Sequence, residues 1–228
     1  MFKRLFLIGS ISYLVHTYTE GFTTTRLASQ ENYGFSDFGA RIDAEKILDQ
    51  PFHYLASGGQ SFVFISEDGK YVLKFLKGHA RPWTVLPKVR ARKIKKIAKT
   101  LEGYRLLEEK LPSHSATIYA HFSKTPFRAA HLIDKCGIHH TVDLSSAECI
   151  LQHHVKPLNS LSTEKVHELA SLLAEEKMTD TDPRQHKNWG MLGDTVVIFD
   201  AGRIATDPQG KFALSDKYIS WEQSLEDS

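Results

Sequence analysis

The stretch Lys187–Arg203, KNWGMLGDTVVIFDAGR, decides how the chain is read. Two short apolar runs flank Gly193-Asp194, a dipeptide suited to a tight reversal, so a β-hairpin is predicted. With the turn centred between Gly193 and Asp194, Asn188 lies opposite Phe199. With a three-residue turn centred on Asp194, it lies opposite Asp200. In either register the Asn188 and Asp200 side chains leave the open end roughly 5–8 Å apart. An amide oxygen and a carboxylate at that separation suit one hard cation. Mg²⁺ (or Mn²⁺) favours such sparse oxygen ligation, with water and phosphate completing the octahedron.

Just upstream, TDTDPRQHKN places Asp182 six residues before Asn188. A carboxylate there can accept or orient a hydroxyl proton during phosphoryl transfer; Asp180 is the alternative. Before this loop, NSLSTEKVHELASLLAEEKM predicts a helix. Ser162 is its N-cap, Leu161 and Val166 its hydrophobic staple, and Val166, Leu169, Ala170 and Leu173 its apolar stripe.

Further out, residues 51–77 predict a three-stranded antiparallel meander, with Asp68-Gly69 at the second turn. Gly58 and Gly59 sit at the first turn, where the missing Cβ lets backbone N–H groups approach a phosphate. Val72, Lys74 and Leu76 share one face of the third strand by the period of two. A lysine between aliphatics needs an anion, either a phosphate or a structural carboxylate.

Residues 77–99 carry nine Lys/Arg and no acid. Their second half continues as a helix to about Leu111, on the spacing of Ile94, Ile97, Leu101, Tyr104 and Glu108. The basic face is either solvated or a surface for RNA, anionic lipid or an acidic partner. TIYAHFSK, AAHLIDKCGIHH and AECILQHHVKPL read as further strands. Sheet, helix, sheet, helix, loop and hairpin follow one another, which is an α+β layout and not the βαβ alternation of a parallel sheet.

The chain has 228 residues and a formal net charge of +2, which gives no global nucleic-acid signal. Cys136 and Cys149 are too few for a disulfide framework; they pair with each other or are two buried thiols. Twelve histidines include the pairs His139-His140 and His153-His154, and each pair offers one ring to either face of a strand, fewer ligands than zinc needs. Lys3 and Arg4 precede an uncharged segment, 5–15, which reads either as a secretory signal or membrane anchor or as a packed segment. The chain is then cytoplasmic, or membrane-associated or secreted if that segment is a signal or anchor.

From Phe52 to Arg203 these residues resemble the protein-kinase-like superfamily, with the parts in the family's order. ASGGQSFVF is similar to the Gly-rich loop, with Ala56 and Ser61 at the outer glycine positions and Gly58 retained. YVLKF is similar to the V-A-I-K strand, which makes Lys74 the α/β-phosphate lysine and Val63 and Val72 the ceiling over adenine. ILQHHV resembles the hinge, so His153 and His154 backbone groups would meet the adenine edge. DPRQHKN is similar to D-[LI]-[KR]-P-x-N, one residue longer, with Arg184 at the basic position. IFDAGR resembles D-F-G with Ala201 in place of the aromatic. The resemblance implies that Asn188 and Asp200 hold the metal, that Asp182 serves the acceptor hydroxyl, and that Glu102, or Glu108, pairs with Lys74.

The expected fold is therefore α+β and kinase-like, bilobal, with an antiparallel-sheet N-lobe and a reduced helical C-lobe. Residues 1–20 form the hydrophobic N-terminal segment, 21–50 a linker with a short helix near Ala44–Leu48, 51–155 the N-lobe with the basic insertion 77–99, and 156–228 the C-lobe. The expected function is ATP/Mg²⁺-dependent phosphotransfer to an unidentified protein or small-molecule acceptor. The alternative is an inactive pseudokinase that binds nucleotide or a protein partner.

Overall fold

The computed structural model describes residues 17–27, 33–77, 87–123, 125–158 and 163–226. They divide into two compact units. The first runs to Arg92 and takes in Ile118–Gln152; the second comprises Lys93–Thr117 and the chain from His153 onward. The hydrophobic segment 5–15 and the Ser162–Leu161 cap lie outside the described residues.

Elements of the first unit are, in chain order, β1 (Phe38–Gly39), α1 (Arg41–Ile47), β2 (Phe52–Ser57), β3 (Ser61–Ser66) and β4 (Tyr71–Leu76), followed by α2 (Pro87–Lys110), most of which belongs to the second unit. Then come β5 (Thr117–His121), β6 (Ala129–Ile133), β7 (His139–Asp143) and β8 (Cys149–His153). The strands form one sheet in the order β1-β5-β8-β4-β3-β2-β6-β7. Antiparallel pairing sets Phe62 against Phe75 and Phe64 against Leu73, so four large apolar side chains share one face. All four are fully buried. Each contributes about 1.5–3 kcal/mol by leaving water. Residues of β2, β3, β4, β6, β7 and β8 join a single core cluster, so the sheet curves around it.

Two expectations change here. The sheet is mixed, because β6 pairs in parallel with β2 through Phe52–Leu132 and His53–Ile133. The chain leaves β5 and crosses to the opposite side of the sheet, where β6 lies beside β2 and runs the same way. Residues 21–50, read as a linker with a short helix, contribute Phe22, Leu27, Ala44 and Leu48 to the core. Phe22 meets the rings of Phe62 and Phe64 edge-on at 5.4 and 5.2 Å. The pairing of Cys136 with Cys149 is also excluded: both are free thiols, Cys136 in the exposed turn between β6 and β7 and Cys149 buried in β8. Burial raises the Cys149 thiol well above its ordinary range.

In the second unit, α2 buries Ile97, Leu101, Tyr104 and Leu107, while Lys95, Lys96 and Lys99 are exposed. The helix begins at Pro87, a turn or more before the apolar spacing starts, and Pro112 follows its end. After it come α3 (Thr163–Glu175), β9 (Met178–Asp180), β10 (Trp189–Leu192), β11 (Thr195–Ile198), β12 (Ile204–Thr206) and α4 (Asp216–Glu226). The stripe read on α3 is buried at Val166, Leu169, Ala170 and Leu173. β10 and β11 form the predicted hairpin, and β12 returns to pair with β9. The C-terminal stretch carries α4, anchored by the buried Tyr218. Among the described residues no helix is long and apolar enough to cross a membrane.

Candidate active site

The hairpin adopts the two-residue turn. Leu192 pairs with Thr195 and Trp189 with Ile198, so Asn188 faces Phe199. Only Gly193 of the two turn residues takes a positive φ, +59°, the pattern of a type II′ turn. The Asn188 carbonyl receives two amides, Phe199 N–H at 2.9 Å and Asp200 N–H at 3.3 Å. One backbone oxygen thus fixes where Asp200 leaves the hairpin. Asp200 is exposed, and its Oδ1 meets the Tyr104 hydroxyl and the Gly202 N–H, each at 3.4 Å. Burial, then the Asp200 charge, raises the Tyr104 hydroxyl far above its ordinary range, so it stays a neutral donor. Helix α2 comes close to this turn: a Cβ on Gly103 would lie 2.2 Å from the Ala201 carbonyl oxygen.

Asp180 and Asp182 have different environments. Asp180 is 4% exposed; it accepts from Trp189 Nε1 at 2.9 Å and from the Asp182 amide at 2.9 Å. Burial raises its carboxyl to about 6, against those two donors, and the Asp182 and Asp200 charges add to the rise. Asp182 accepts the Arg184 amide at 2.9 Å, and the nearby Asn188 side-chain amide also favours its charged form. Burial pushes this carboxyl up as well, but those donors and the Arg184 guanidinium outweigh it and leave it below its ordinary value. Asp180 thus props the loop, while Asp182 is a carboxylate held beside Asn188. Between Asp182 and Asn188 the chain makes a single 3₁₀ turn, Gln185–Lys187.

That turn rests on α4. Gln185 donates from Nε2 to the Asp180 carbonyl at 3.2 Å and accepts the Ser215 amide at 3.0 Å. Ser215 Oγ donates to the Pro183 carbonyl at 2.9 Å. The His186 ring stacks on Trp221 at 4.8 Å, with only 10° between their planes. None of these supports was read from the sequence.

In the first unit, Gly58 and Gly59 form the β2–β3 turn, and the Gly58 N–H is taken by the Ser61 carbonyl at 3.0 Å. Around Gly59 an added Cβ would meet nothing within 4 Å, so the tip of the turn is open. Val63 pairs directly with Lys74 across β3 and β4, and Val72 pairs with Ile65. Lys77, grouped from sequence with the solvated basic segment, is 8% exposed. Its Nζ donates to Ser57 Oγ at 2.6 Å and to the Gly58 carbonyl, and lies 4.5 Å from the Phe62 ring centre. Register would have revealed it, because Lys77 directly follows Leu76, the partner of Ser61. The first unit thus holds Gly58, Gly59, Ser61, Val63, Val72 and Lys74, and the second holds Asp182, Asn188, Asp200, Glu102 and His154. Glu102 is engaged by Arg105 of its own helix at 2.8 and 3.0 Å. Glu108 is half-buried, and burial raises its carboxyl. His154 follows β8 and is half-buried.

Among the described residues no cluster of three or more His, Cys, Asp or Glu is arranged to hold a metal ion. Asn188 and Asp200 could offer an amide oxygen and one carboxylate. That fits a Mg²⁺ ion which keeps waters and shares substrate phosphate oxygens, rather than one caged by protein.

No protein-family model and no curated protein matches the chain. Solved structures that match include three of WbdD. The crystal structure at 2.2 Å is 15% identical with a TM-score of 0.41, over 77% of this chain and 37% of that one. The bifunctional kinase-methyltransferase WbdD is 15% identical with a TM-score of 0.38, over 65% and 31%. WbdD with the kinase inhibitor LY294002 is 14% identical with a TM-score of 0.39, over 68% and 33%. The chain spans about a third of the length of these proteins.

Proposed function

We propose that the protein is a metal-dependent phosphotransferase that uses ATP. One observation carries this reading: Asp182, whose carboxyl is held below its ordinary value, shares its loop with Asn188, whose own backbone oxygen fixes the exit of Asp200. A base, an amide oxygen and a second carboxylate therefore converge on one loop and hairpin. Asn188 and Asp200 would hold Mg²⁺, which when bound offsets phosphate charge. The acceptor hydroxyl would bond to the γ-phosphorus as the β–γ bridging bond breaks. ADP leaves with the electron pair, and the hydroxyl proton passes to Asp182. Lys74, with Val63 and Val72 around it, would meet the α/β-phosphates and adenine, and the Gly58–Gly59 turn the phosphates. His154 would lie at the adenine edge.

The test is a thermal-shift titration with ATP, with and without Mg²⁺ or Mn²⁺, coupled to a phosphate-transfer assay. Metal-dependent stabilisation is expected in the wild type and is lost in Asp200→Ala. If ATP stabilises the protein at no metal concentration, the reading is wrong. The engagement of Glu102 by Arg105 favours a second reading, a pseudokinase that binds nucleotide without turnover. Stabilisation by ATP with no transfer, even to itself, selects the second; autophosphorylation excludes it.

A further inference from the structure

Beside the loop that carries Asp182, an open cleft of about 400 Å³ is lined by Arg184, His186, Lys187, Asp216, Lys217 and Ser220. Three cations face one acid there. Lys187 and Lys217 are exposed, and neither lies within ion-pair distance of an acid among the described residues. Lys217 also sits in the first turn of α4, where the helix dipole disfavours a cation unless an anion is near. The cleft is built, not incidental. Ser215 joins α4 to the loop at Pro183 and Gln185, and His186, which lines the cleft, stacks on Trp221 of α4. Arg184 links it to the chemistry, since its Nε lies 3.5 Å from Asp182 Oδ1 while its side chain remains 60% exposed.

We propose that this cleft is an anion subsite for the acceptor: it holds a phosphate or carboxylate borne by the molecule whose hydroxyl faces Asp182. The acceptor is then a small hydroxylated anion, or an anionic end of a larger one, and not a neutral alcohol. The acceptor role rests on the phosphotransferase reading; the anion site does not.

The experiment uses the full chain with no nucleotide and no metal. Inorganic phosphate, glycerol 3-phosphate, glycerate and glycerol are titrated separately while the Trp221 indole N–H resonance is followed by NMR, assigned with Trp221→Phe. Saturable shifts are expected with the anions and none with glycerol; comparison of glycerol 3-phosphate with glycerate separates phosphate from carboxylate recognition. Lys187→Gln combined with Lys217→Gln should weaken binding at least tenfold, and Lys70→Gln, on an exposed turn of the first unit, should leave it unchanged. Binding should also weaken as salt rises. Absence of a saturable shift with every anion, or equal affinity in the double variant, overturns the site even if Mg²⁺-ATP binds. Anion binding in a protein that never binds Mg²⁺-ATP overturns the acceptor role.

Discussion

Replacing Trp189 with Phe removes one hydrogen-bond donor from Asp180 and leaves most of the ring volume. Among the described residues the Asp180 carboxylate has two donors, Trp189 Nε1 and the Asp182 amide, and it is almost fully buried. Its carboxyl is raised from an ordinary 3.8 to about 6. At about 1.4 kcal/mol per tenfold change in proton affinity, that corresponds to roughly 3 kcal/mol of cost to the folded state at pH 8. For a carboxyl raised in this way the folded state binds the proton more tightly. Stability from this group is therefore fully present below pH 3.8 and falls as pH rises through about 6. A hydrogen bond to the ionised carboxylate contributes about 1.5–3 kcal/mol, and one to the neutral acid about 1 kcal/mol. Trp189→Phe should therefore cost roughly 0.5–2 kcal/mol more at pH 8 than at pH 5, on top of a pH-independent packing loss. Urea unfolding of both proteins by far-UV circular dichroism across that range measures the difference. Taking the difference cancels the other titrating groups, including Asp182, whose carboxyl is lowered and acts with the opposite sign. A cost that is flat from pH 5 to 8 would refute the assignment of Asp180 as a buried, indole-held carboxyl.

Two further outcomes are specific. Gly103→Ala places a Cβ 2.2 Å from the Ala201 carbonyl oxygen, so overpacking of about 1–3 kcal/mol should outweigh the roughly 1 kcal/mol gain in helix propensity. A raised Tm in this variant would contradict the close approach of α2 to the Asp200 turn. In a thiol titration, exposed Cys136 should react at once and buried Cys149 only on unfolding; two fast thiols in the native protein would overturn that assignment.

The hairpin, the meander β2–β4 and helices α2 and α3 were legible because each carries a local signal: Gly193-Asp194, Asp68-Gly69, or apolar residues at helical spacing. What was not legible depends on contacts distant in sequence. β6 pairs with β2 across some eighty residues, and β12 pairs with β9 although neither is long enough to show periodicity. Among the described side chains of helix α4 only Tyr218 is deeply buried, so its apolar spacing gives a thin helical signal. Within the loop, spacing favours Asp182 and leaves Asp180 as the alternative. Burial and the Trp189 indole separate them, and neither can be read from the order of residues.

The Lys77 clip has a mechanical consequence. Its Nζ grips Ser57 and Gly58, while its own amide donates to the Gln60 carbonyl at 2.7 Å, so the end of β4 is tied to both sides of the glycine turn. Lys74 lies three residues earlier on that strand. The turn and the strand must then shift together, as one lever, rather than the turn flapping over a fixed strand. A glycine turn held in this way has already surrendered much of its conformational freedom, so any anion that settles against it has less disorder left to remove.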